Sequence, residues 1–264
     1  MVPANVQPVL FEVLGWGVPT HEFFIAVGLA AAGGVYFWEA RRKGQLSEQT
    51  AWIVVGALIG GAILAKVGSA WRFAGDGSTM TELYLFGGRS ILGGLAGAYL
   101  GAVVAKRLVG YRRSTGDLFA PAVAIGLAIG RIGCFLTEQV GTPTSMPWGI
   151  AVSADTAAAI PNCPQCLSGA AMHPSFLYEI GFLAVTFVAL WWGRDRLVAG
   201  MSFKLFLLGY GVFRFAVEFV RGNPEMAFGL SGSQIFLLMT IPIVMVHIAR
   251  HYVLRRPAMT EVSA

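Results

Sequence analysis

The chain has 264 residues, of which 56% are hydrophobic and 12% charged, and its formal net charge is +5. This composition, with a positive mean hydropathy of +0.66, excludes an ordinary soluble domain and indicates an integral membrane protein. The basic residues are not interleaved with aromatic residues as in a nucleic-acid patch, so no nucleic-acid partner is predicted. One membrane domain, residues 1–264, accounts for the whole chain.

Seven apolar segments have the length of roughly 20 residues that one bilayer crossing requires. They are predicted as helices at 21–40, 51–70, 87–105, 117–137, 174–193, 201–220 and 231–250. The predicted fold class is therefore all-α, with seven transmembrane helices. The first twenty residues contain Glu12 but no lysine or arginine, and they do not resemble a cleavable signal peptide.

Most basic residues follow the odd-numbered spans. This set comprises Arg41, Arg42, Lys43, Lys106, Arg107, Arg112, Arg113, Arg194, Arg196, Lys204, Arg250, Arg255 and Arg256. Because cytoplasmic loops are enriched in lysine and arginine, the pattern predicts that the N-terminus lies outside and the C-terminus in the cytoplasm.

The fourth span, PAVAIGLAIGRIGCFLTEQVG, carries Arg131 in its second half. A centrally placed arginine costs about 2.5–3.5 kcal/mol on insertion scales, and such residues usually mark functional sites. An anion must therefore meet Arg131. An internal carboxylate such as Glu138 or Glu218 is one hypothesis, and a phosphate, which suits the guanidinium group, is the other.

Further cations lie within the spans or at their outer ends. They are Lys66, Arg72, Arg89, Arg214 and Arg221. Lys66 and Arg72 are expected to extend to the membrane interface. The remaining arginines predict a cationic pocket that opens to the outer leaflet. The glycines beside Arg89 are expected to allow close helix packing, or to expose amides to a lipid headgroup.

The sixth span places Arg214, Glu218 and Arg221 at positions i, i+4 and i+7, on one helix face. A self-neutralising set of ion pairs is one interpretation, since i,i+4 residues are neighbours. With Arg131 included, however, three arginines face one or two carboxylates. The surplus favours an anionic ligand, and a pocket inside the bilayer favours a phospholipid headgroup.

The segment HPSFLYE opens the fifth span. Proline suits a first helical turn, so His173 is expected at the outer lip of the membrane, with Tyr178 and Glu179 about one turn deeper. His173 is either an interfacial residue or a group for proton transfer. Cys163 and Cys166 are predicted to form a local disulfide or to remain two thiols, and no metal site is expected.

Four segments occur in an order that resembles one known family. They are GRIGCFL, PTSMPWG, HPSFLYE and GYGVFRFAVEFVR, and the resemblance extends from residue 20 to 250. The family is that of the prolipoprotein diacylglyceryl transferases. It implies an enzyme of the bacterial cytoplasmic membrane that uses no cofactor. Such an enzyme transfers the diacylglyceryl group of phosphatidylglycerol to a lipobox cysteine thiol at the outer face and releases glycerol phosphate.

The resemblance and the residue patterns together predict roles for individual residues. Those expected in catalysis are Arg131, Arg214 and Glu218, with His173 or His21 as the base. Those expected to contact substrate are Arg221, Arg89, Gly93, Gly94, Glu138, Tyr178 and Glu179. The arginines would hold the phosphate and stabilise the charge that grows on it.

The chain departs from the family pattern at several polar positions. Leu92 stands where a histidine usually precedes the paired glycines, Cys134 replaces an asparagine, and His21 replaces a tyrosine. The usual Asn-Gly-Glu run is replaced by residues 137–139, Thr-Glu-Gln. Two hypotheses remain open: a transferase with the usual or another acceptor or lipid, and a divergent relative that binds or moves anionic lipid. The enzyme is favoured because binding alone needs no base.

Overall fold

A computed structural model describes residues 8–70, 90–137, 141–152 and 169–254. Within these ranges the chain is mostly helical. The helices are α1 (Thr20–Arg42), α2 (Glu48–Ala70), α3 (Ile91–Leu108), α4 (Gly116–Thr137), α5 (Ser175–Gly193), α6 (Met201–Val217) and α7 (Gly232–Leu254). A 3₁₀ turn, Glu218–Val220, extends α6. Six of these helices, all except α6, are long and apolar enough to cross a membrane. An all-α membrane protein is thereby confirmed.

Three short antiparallel strand pairs lie outside the helices in the described ranges. They pair β1 (Val9–Val13) with β2 (Trp16–Pro19), β3 (Ile150–Ala151) with β4 (Ala171–Met172), and β5 (Glu225–Ala227) with β6 (Leu230–Ser231). No strands were predicted in these segments. In the first hairpin, Leu14 and Gly15 both have positive φ, of 52° and 81°, which is the backbone that a tight hairpin turn requires.

The chain forms two compact units. The small unit is Phe37–Ser114, and the large unit comprises Met1–Tyr36 and Thr115–Ala264. In the small unit, α2 and α3 pack closely through facing glycines. A side chain at Gly97 would collide with the carbonyl oxygen of Gly60, and a side chain at Gly101 with that of Gly56. Small residues are thus required where these two backbones meet.

In the large unit, α4 is the central helix. Half of it is buried by the rest of the chain, a larger share than in any other candidate span of the described residues. It packs against α5 and α6. A side chain at Gly133 of α4 would lie 3.2 Å from the Cα atom of His21 in α1. This central helix positions Arg131 among its neighbours.

Asp117, near the start of α4, fixes the start of α6. Its carboxylate accepts hydrogen bonds from the backbone amides of Gly200, at 2.6 Å, and Ser202, at 3.2 Å. The first amides of a helix have no intrahelical acceptor, so a carboxylate here satisfies them and complements the helix dipole. Asp117 therefore ties the beginnings of α4 and α6 together.

Candidate active site

The centre of the candidate site is the carboxylate of Glu179, in the second turn of α5. Its side chain is fully buried, and its Oε1 atom lies 2.8 Å from Nη2 of Arg131, whose side chain is 4% exposed. The hydroxyl of Tyr210 in α6 donates to the same oxygen at 2.6 Å. The other oxygen, Oε2, lies 3.6 Å from Nη1 of Arg221. One carboxylate thus joins α4, α5, α6 and the segment that follows the 3₁₀ turn.

Phe176, one turn before Glu179, contacts two of the same arginines. The guanidinium carbon of Arg221 lies 4.5 Å from the centre of its ring, and that of Arg131 lies 5.5 Å away. A cation near an aromatic face is stabilised electrostatically, more so where water is excluded. Phe176 and Glu179 therefore hold Arg131 and Arg221 on the same side of α5.

The third arginine, Arg214, pairs with Glu218 at the end of α6. Oε1 of Glu218 also accepts hydrogen bonds from the Nδ2 group of Asn223, at 2.8 Å, and from the hydroxyl of Ser231, at 2.6 Å. Both oxygens of Glu218 are occupied. This carboxylate anchors the loop after α6 as well as Arg214.

Three arginines, Arg131, Arg214 and Arg221, lie beside the two carboxylates of Glu179 and Glu218 within the described part of the chain. Moreover, the Nε group of Arg131 is buried and has no hydrogen-bond partner among the described residues. Buried charges and donors are normally paired. The geometry therefore suits the addition of an anion with several acceptor oxygens.

A second group of polar side chains lies at the start of α5. The indole Nε1 group of Trp148 donates to the hydroxyl of Tyr178 at 2.7 Å. The same hydroxyl lies 3.1 Å from Nδ1 of His173. Trp148 is 56% exposed. Because an indole N–H group can only donate, the hydroxyl oxygen of Tyr178 accepts from Trp148. The hydroxyl proton of Tyr178 is then available for a hydrogen bond to His173.

Residues 8–250 match the family model described as prolipoprotein diacylglyceryl transferase. The chain belongs to the prolipoprotein diacylglyceryl transferase family. It is 32% identical to a phosphatidylglycerol–prolipoprotein diacylglyceryl transferase of Idiomarina loihiensis, across 92% of this chain and 91% of the relative. The enzyme of the same name from Vibrio cholerae is also 32% identical, across 92% and 90%. That of Clostridium tetani is 29% identical, across 89% and 94%. The resemblance carried by the four motifs is confirmed.

The structure brings together most of the residues that the family resemblance predicted. Those in the charge cluster are Arg131, Arg214, Arg221, Glu179 and Glu218, whereas His173 and Tyr178 form the second group. Among the described residues, the carboxylate that pairs with Arg131 is that of Glu179, whereas Glu218 pairs with Arg214 and Glu138 falls outside the described ranges. Arg221 also pairs with Glu179, because the 3₁₀ turn carries it past the end of α6.

Other predicted site residues lie elsewhere or outside the described ranges. Nδ1 of His21 lies 3.6 Å from Oε1 of the neighbouring Glu22. Gly93 and Gly94 lie in the small unit, where Gly93 packs against the backbone of Leu64 in α2. The positions of Arg89, Glu138, Cys163 and Cys166 fall outside the described residues, so their roles stay predictions.

Sequence reasoning missed several residues of the site. Tyr210 precedes Arg214 by four positions, so the i,i+4 spacing extended one turn backwards would have included it. Trp148, Asn223 and Ser231 lie in connecting segments and reach the site only through the fold. Cys134, which replaces the family asparagine, accepts a hydrogen bond at its Sγ atom from Nη1 of Arg131, at 3.7 Å. It therefore keeps contact with the central arginine.

Proposed function

We propose that this chain transfers the diacylglyceryl group of phosphatidylglycerol to the cysteine thiol of a prolipoprotein. Its relatives over most of its length are phosphatidylglycerol–prolipoprotein diacylglyceryl transferases. The phospholipid supplies a phosphate to the arginine cluster, and the prolipoprotein supplies the thiol in its lipobox. The reaction takes place at the outer face of the bacterial cytoplasmic membrane.

The observation that carries the proposal is the buried Nε group of Arg131, which has no hydrogen-bond partner among the described residues and lies within a group of three arginines. Arg131 and Arg221 share the carboxylate of Glu179, and Arg214 pairs with Glu218. A phosphodiester is proposed to bind beside these arginines. It would also provide an acceptor for the Nε group of Arg131, since guanidinium groups match phosphate oxygens in geometry.

The arginines are proposed to act on the leaving group. The thiol sulfur forms a bond to the terminal carbon of the diacylglyceryl group, while the bond from that carbon to the phosphate oxygen breaks. Glycerol phosphate leaves with the bonding electron pair. Arg131, Arg214 and Arg221 stabilise the charge that develops on the phosphate, which is usually the largest electrostatic contribution to such catalysis.

The thiol proton must be removed, because the thiolate is the nucleophile. We assign this step to Tyr178 and His173. The hydroxyl of Tyr178 accepts the thiol proton while its own proton passes to Nδ1 of His173, across the 3.1 Å contact between them. Trp148 fixes the orientation of the hydroxyl by donating to it. The product of this step is an imidazolium ion at His173.

The topology proposed with this function has seven spans in a single membrane domain. Helix α6 with its 3₁₀ turn would supply the seventh, over Met201–Val220. The N-terminus lies outside and the C-terminus in the cytoplasm. This orientation is supported by the basic residues after the odd-numbered spans, and it places the starts of α5 and α7 at the outer face.

The decisive experiment uses purified full-length protein, phosphatidylglycerol and a synthetic lipobox peptide. Mass spectrometry follows the peptide, and an enzymatic assay follows glycerol phosphate. We expect the peptide to gain one diacylglyceryl group for each glycerol phosphate released. A peptide with serine in place of the lipobox cysteine is the matched control and should remain unmodified. Glycerol phosphate without lipidated peptide would indicate a different acceptor, and absence of both products would overturn the proposal.

A further inference from the structure

The small unit contains a basic pocket at the C-terminal end of α3, outside the candidate active site. Its volume is about 450 Å³, which lies within the range of about 300–1,000 Å³ typical of small-molecule sites. The residues that line it are Val103, Lys106, Arg107, Gly110, Tyr111 and Arg112. Three of the six are cations, and none is acidic.

The cations of the basic pocket are not neutralised within the described part of the chain. Neither Arg107 nor Arg112 has a side-chain ion pair there, and Lys106 donates to the backbone oxygen of Arg113 at 2.7 Å. The described acidic residues of this unit are engaged elsewhere. Glu39 pairs with Arg42 and Lys43, and Glu48 accepts a hydrogen bond from Trp52.

Two ordinary explanations do not account for this pocket. The positive-inside rule explains basic residues in the loop, but not their convergence on one cavity. The dipole of α3 favours cations at its C-terminus, but it contributes only about half an elementary negative charge. Three cations exceed that compensation, so the pocket has the electrostatic character of an anion site.

The backbone around the basic pocket is held in place before any ligand binds. The hydroxyl of Tyr111 donates to the side-chain oxygen of Gln45 at 3.0 Å, and Nε2 of Gln49 donates to the backbone oxygen of Val109 at 3.1 Å. Gly110 adopts φ of 67°, which turns the chain sharply after α3. A site with an ordered backbone loses less entropy when it binds a ligand.

An exposed apolar stripe leads along α3 to the pocket. Leu100, Val104 and Leu108 follow one another at four-residue spacing, and their exposures are 52%, 54% and 81%. Residues at this spacing lie on one side of a helix, next to the side that carries Arg107. An acyl chain can lie along the stripe while a phosphate occupies the cationic end.

We propose that the basic pocket binds the phosphate of an anionic phospholipid, whose acyl chains lie along Leu100, Val104 and Leu108. In the proposed orientation this lipid belongs to the cytoplasmic leaflet, whereas the donor lipid reacts at the outer face. Basic pockets at the cytoplasmic ends of transmembrane helices are known to suit acidic headgroups. The site is therefore separate from the transferase reaction and does not depend on it.

The test is native mass spectrometry of the purified full-length protein with phosphatidic acid, which presents a phosphate without the headgroup of the proposed donor. The pocket variant is K106Q/R107Q/R112Q. The matched control, R41Q/R196Q/R250Q, removes the same number of exposed or partly exposed positive charges from other segments. A further variant, Val103→Trp, fills the pocket without changing its charge.

Each basic residue near an anionic membrane surface contributes to the binding free energy, and the loss of three such residues corresponds to about 100-fold in affinity. We therefore expect the pocket variant to bind phosphatidic acid about 100-fold more weakly than the wild type. We expect a comparable loss for Val103→Trp, and a change of no more than about threefold for the control, because its charges lie outside the pocket. Zwitterionic phosphatidylcholine should bind all four proteins alike.

Three results would overturn the proposal. Equal weakening in the pocket variant and the control would show a general charge effect. Unchanged binding in both pocket variants would show that the lipid binds elsewhere. Displacement of phosphatidic acid by inorganic phosphate at millimolar concentration would identify a site for a soluble anion. Because the readout is binding of a lipid that is not the proposed donor, a failure of the transferase proposal leaves this test intact.

Discussion

Nη2 of Arg131 lies 2.8 Å from Oε1 of Glu179, and both side chains are almost completely buried. The pair connects α4 to α5 at the position where the sequence predicted that an anion must meet the arginine. Glu179 also faces Arg221 and accepts a hydrogen bond from Tyr210. The carboxylate is therefore both an internal counter-ion and the point around which the arginines proposed to bind phosphate are arranged.

Replacing Glu179 by Gln is expected to destabilise the protein. Removing one partner of a buried ion pair costs about 3–5 kcal/mol, because the other charge stays buried without compensation. Here two arginines lose their shared carboxylate. An added phosphate should offset part of this loss, so phosphatidylglycerol should raise the midpoint of thermal unfolding more in E179Q than in the wild type.

Thermal unfolding of both proteins in neutral detergent, with phosphatidylcholine or phosphatidylglycerol, measures this effect. Glu225→Gln is the matched control, since Glu225 lies exposed in the β5–β6 hairpin and should unfold like the wild type. An E179Q protein as stable as the wild type in neutral lipid would contradict the role of Glu179 as counter-ion.

Replacing Arg214 by Ala is expected to lower the rate of glycerol phosphate release by about 100-fold or more. Loss of one donor that stabilises developing charge costs about 10²–10³ in rate. Arg214→Lys keeps the charge but not the planar pair of donors, so an intermediate rate is expected. The assay uses purified protein with phosphatidylglycerol and the lipobox peptide.

The double variant R214A/E218Q separates catalysis from stability. In R214A, the carboxylate of Glu218 keeps its hydrogen bonds from Asn223 and Ser231 but loses its cation. Neutralising Glu218 should therefore restore the thermal midpoint without restoring the rate. Recovery of the rate together with the midpoint would show that Arg214 is needed only for folding.

Replacing Tyr178 by Phe is expected to lower the transfer rate as much as replacing His173 by Gln. If the thiol proton passes through the tyrosine hydroxyl to Nδ1, loss of either group breaks the path. Because both groups belong to one proposed path, the two variants should share one pH–rate profile, and that profile should differ from that of the wild type.

The pH dependence of kcat for the wild type, Y178F and H173Q tests this path. Ser145→Ala, an exposed change in the same connecting segment as Trp148, should keep the wild-type profile. A small, pH-independent loss in H173Q would instead assign His173 an interfacial role. A Y178F profile like that of the wild type would remove Tyr178 from the proton path.

Replacing Cys134 by Asn is expected to preserve or increase transfer activity. The thiol is a weak acceptor for Nη1 of Arg131, at 3.7 Å, whereas the oxygen of an asparagine side chain accepts more strongly. Asparagine also restores the residue typical of the family. The measurement is the rate of peptide lipidation by C134N compared with that of the wild type. A tenfold loss of rate would show that activity requires the thiol at this position.

The transmembrane helices were predictable from the sequence because each depends on local properties. About 20 apolar residues are needed to cross a bilayer, and every helix from α1 to α7 overlaps a predicted span, although α6 is not among the six helices long and apolar enough to cross. The cost of burying arginines in a membrane likewise pointed to Arg131 and Arg214 before their surroundings were known. The short hairpins were not predicted, since two- to five-residue strands carry little periodicity.

The partners of those arginines were decided by the tertiary structure. Sequence spacing predicted the pair between Arg214 and Glu218, which lie four residues apart on one helix. It gave no reason to pair Arg131 with Glu179, because that contact depends on how α4 and α5 are rotated and packed. Likewise, the sequence predicted that the basic residues after α3 lie on the cytoplasmic side. Only the turn at Gly110 brings Lys106, Arg107 and Arg112 around one pocket. Local patterns determine which segments enter the membrane, whereas contacts between distant segments determine which charges meet.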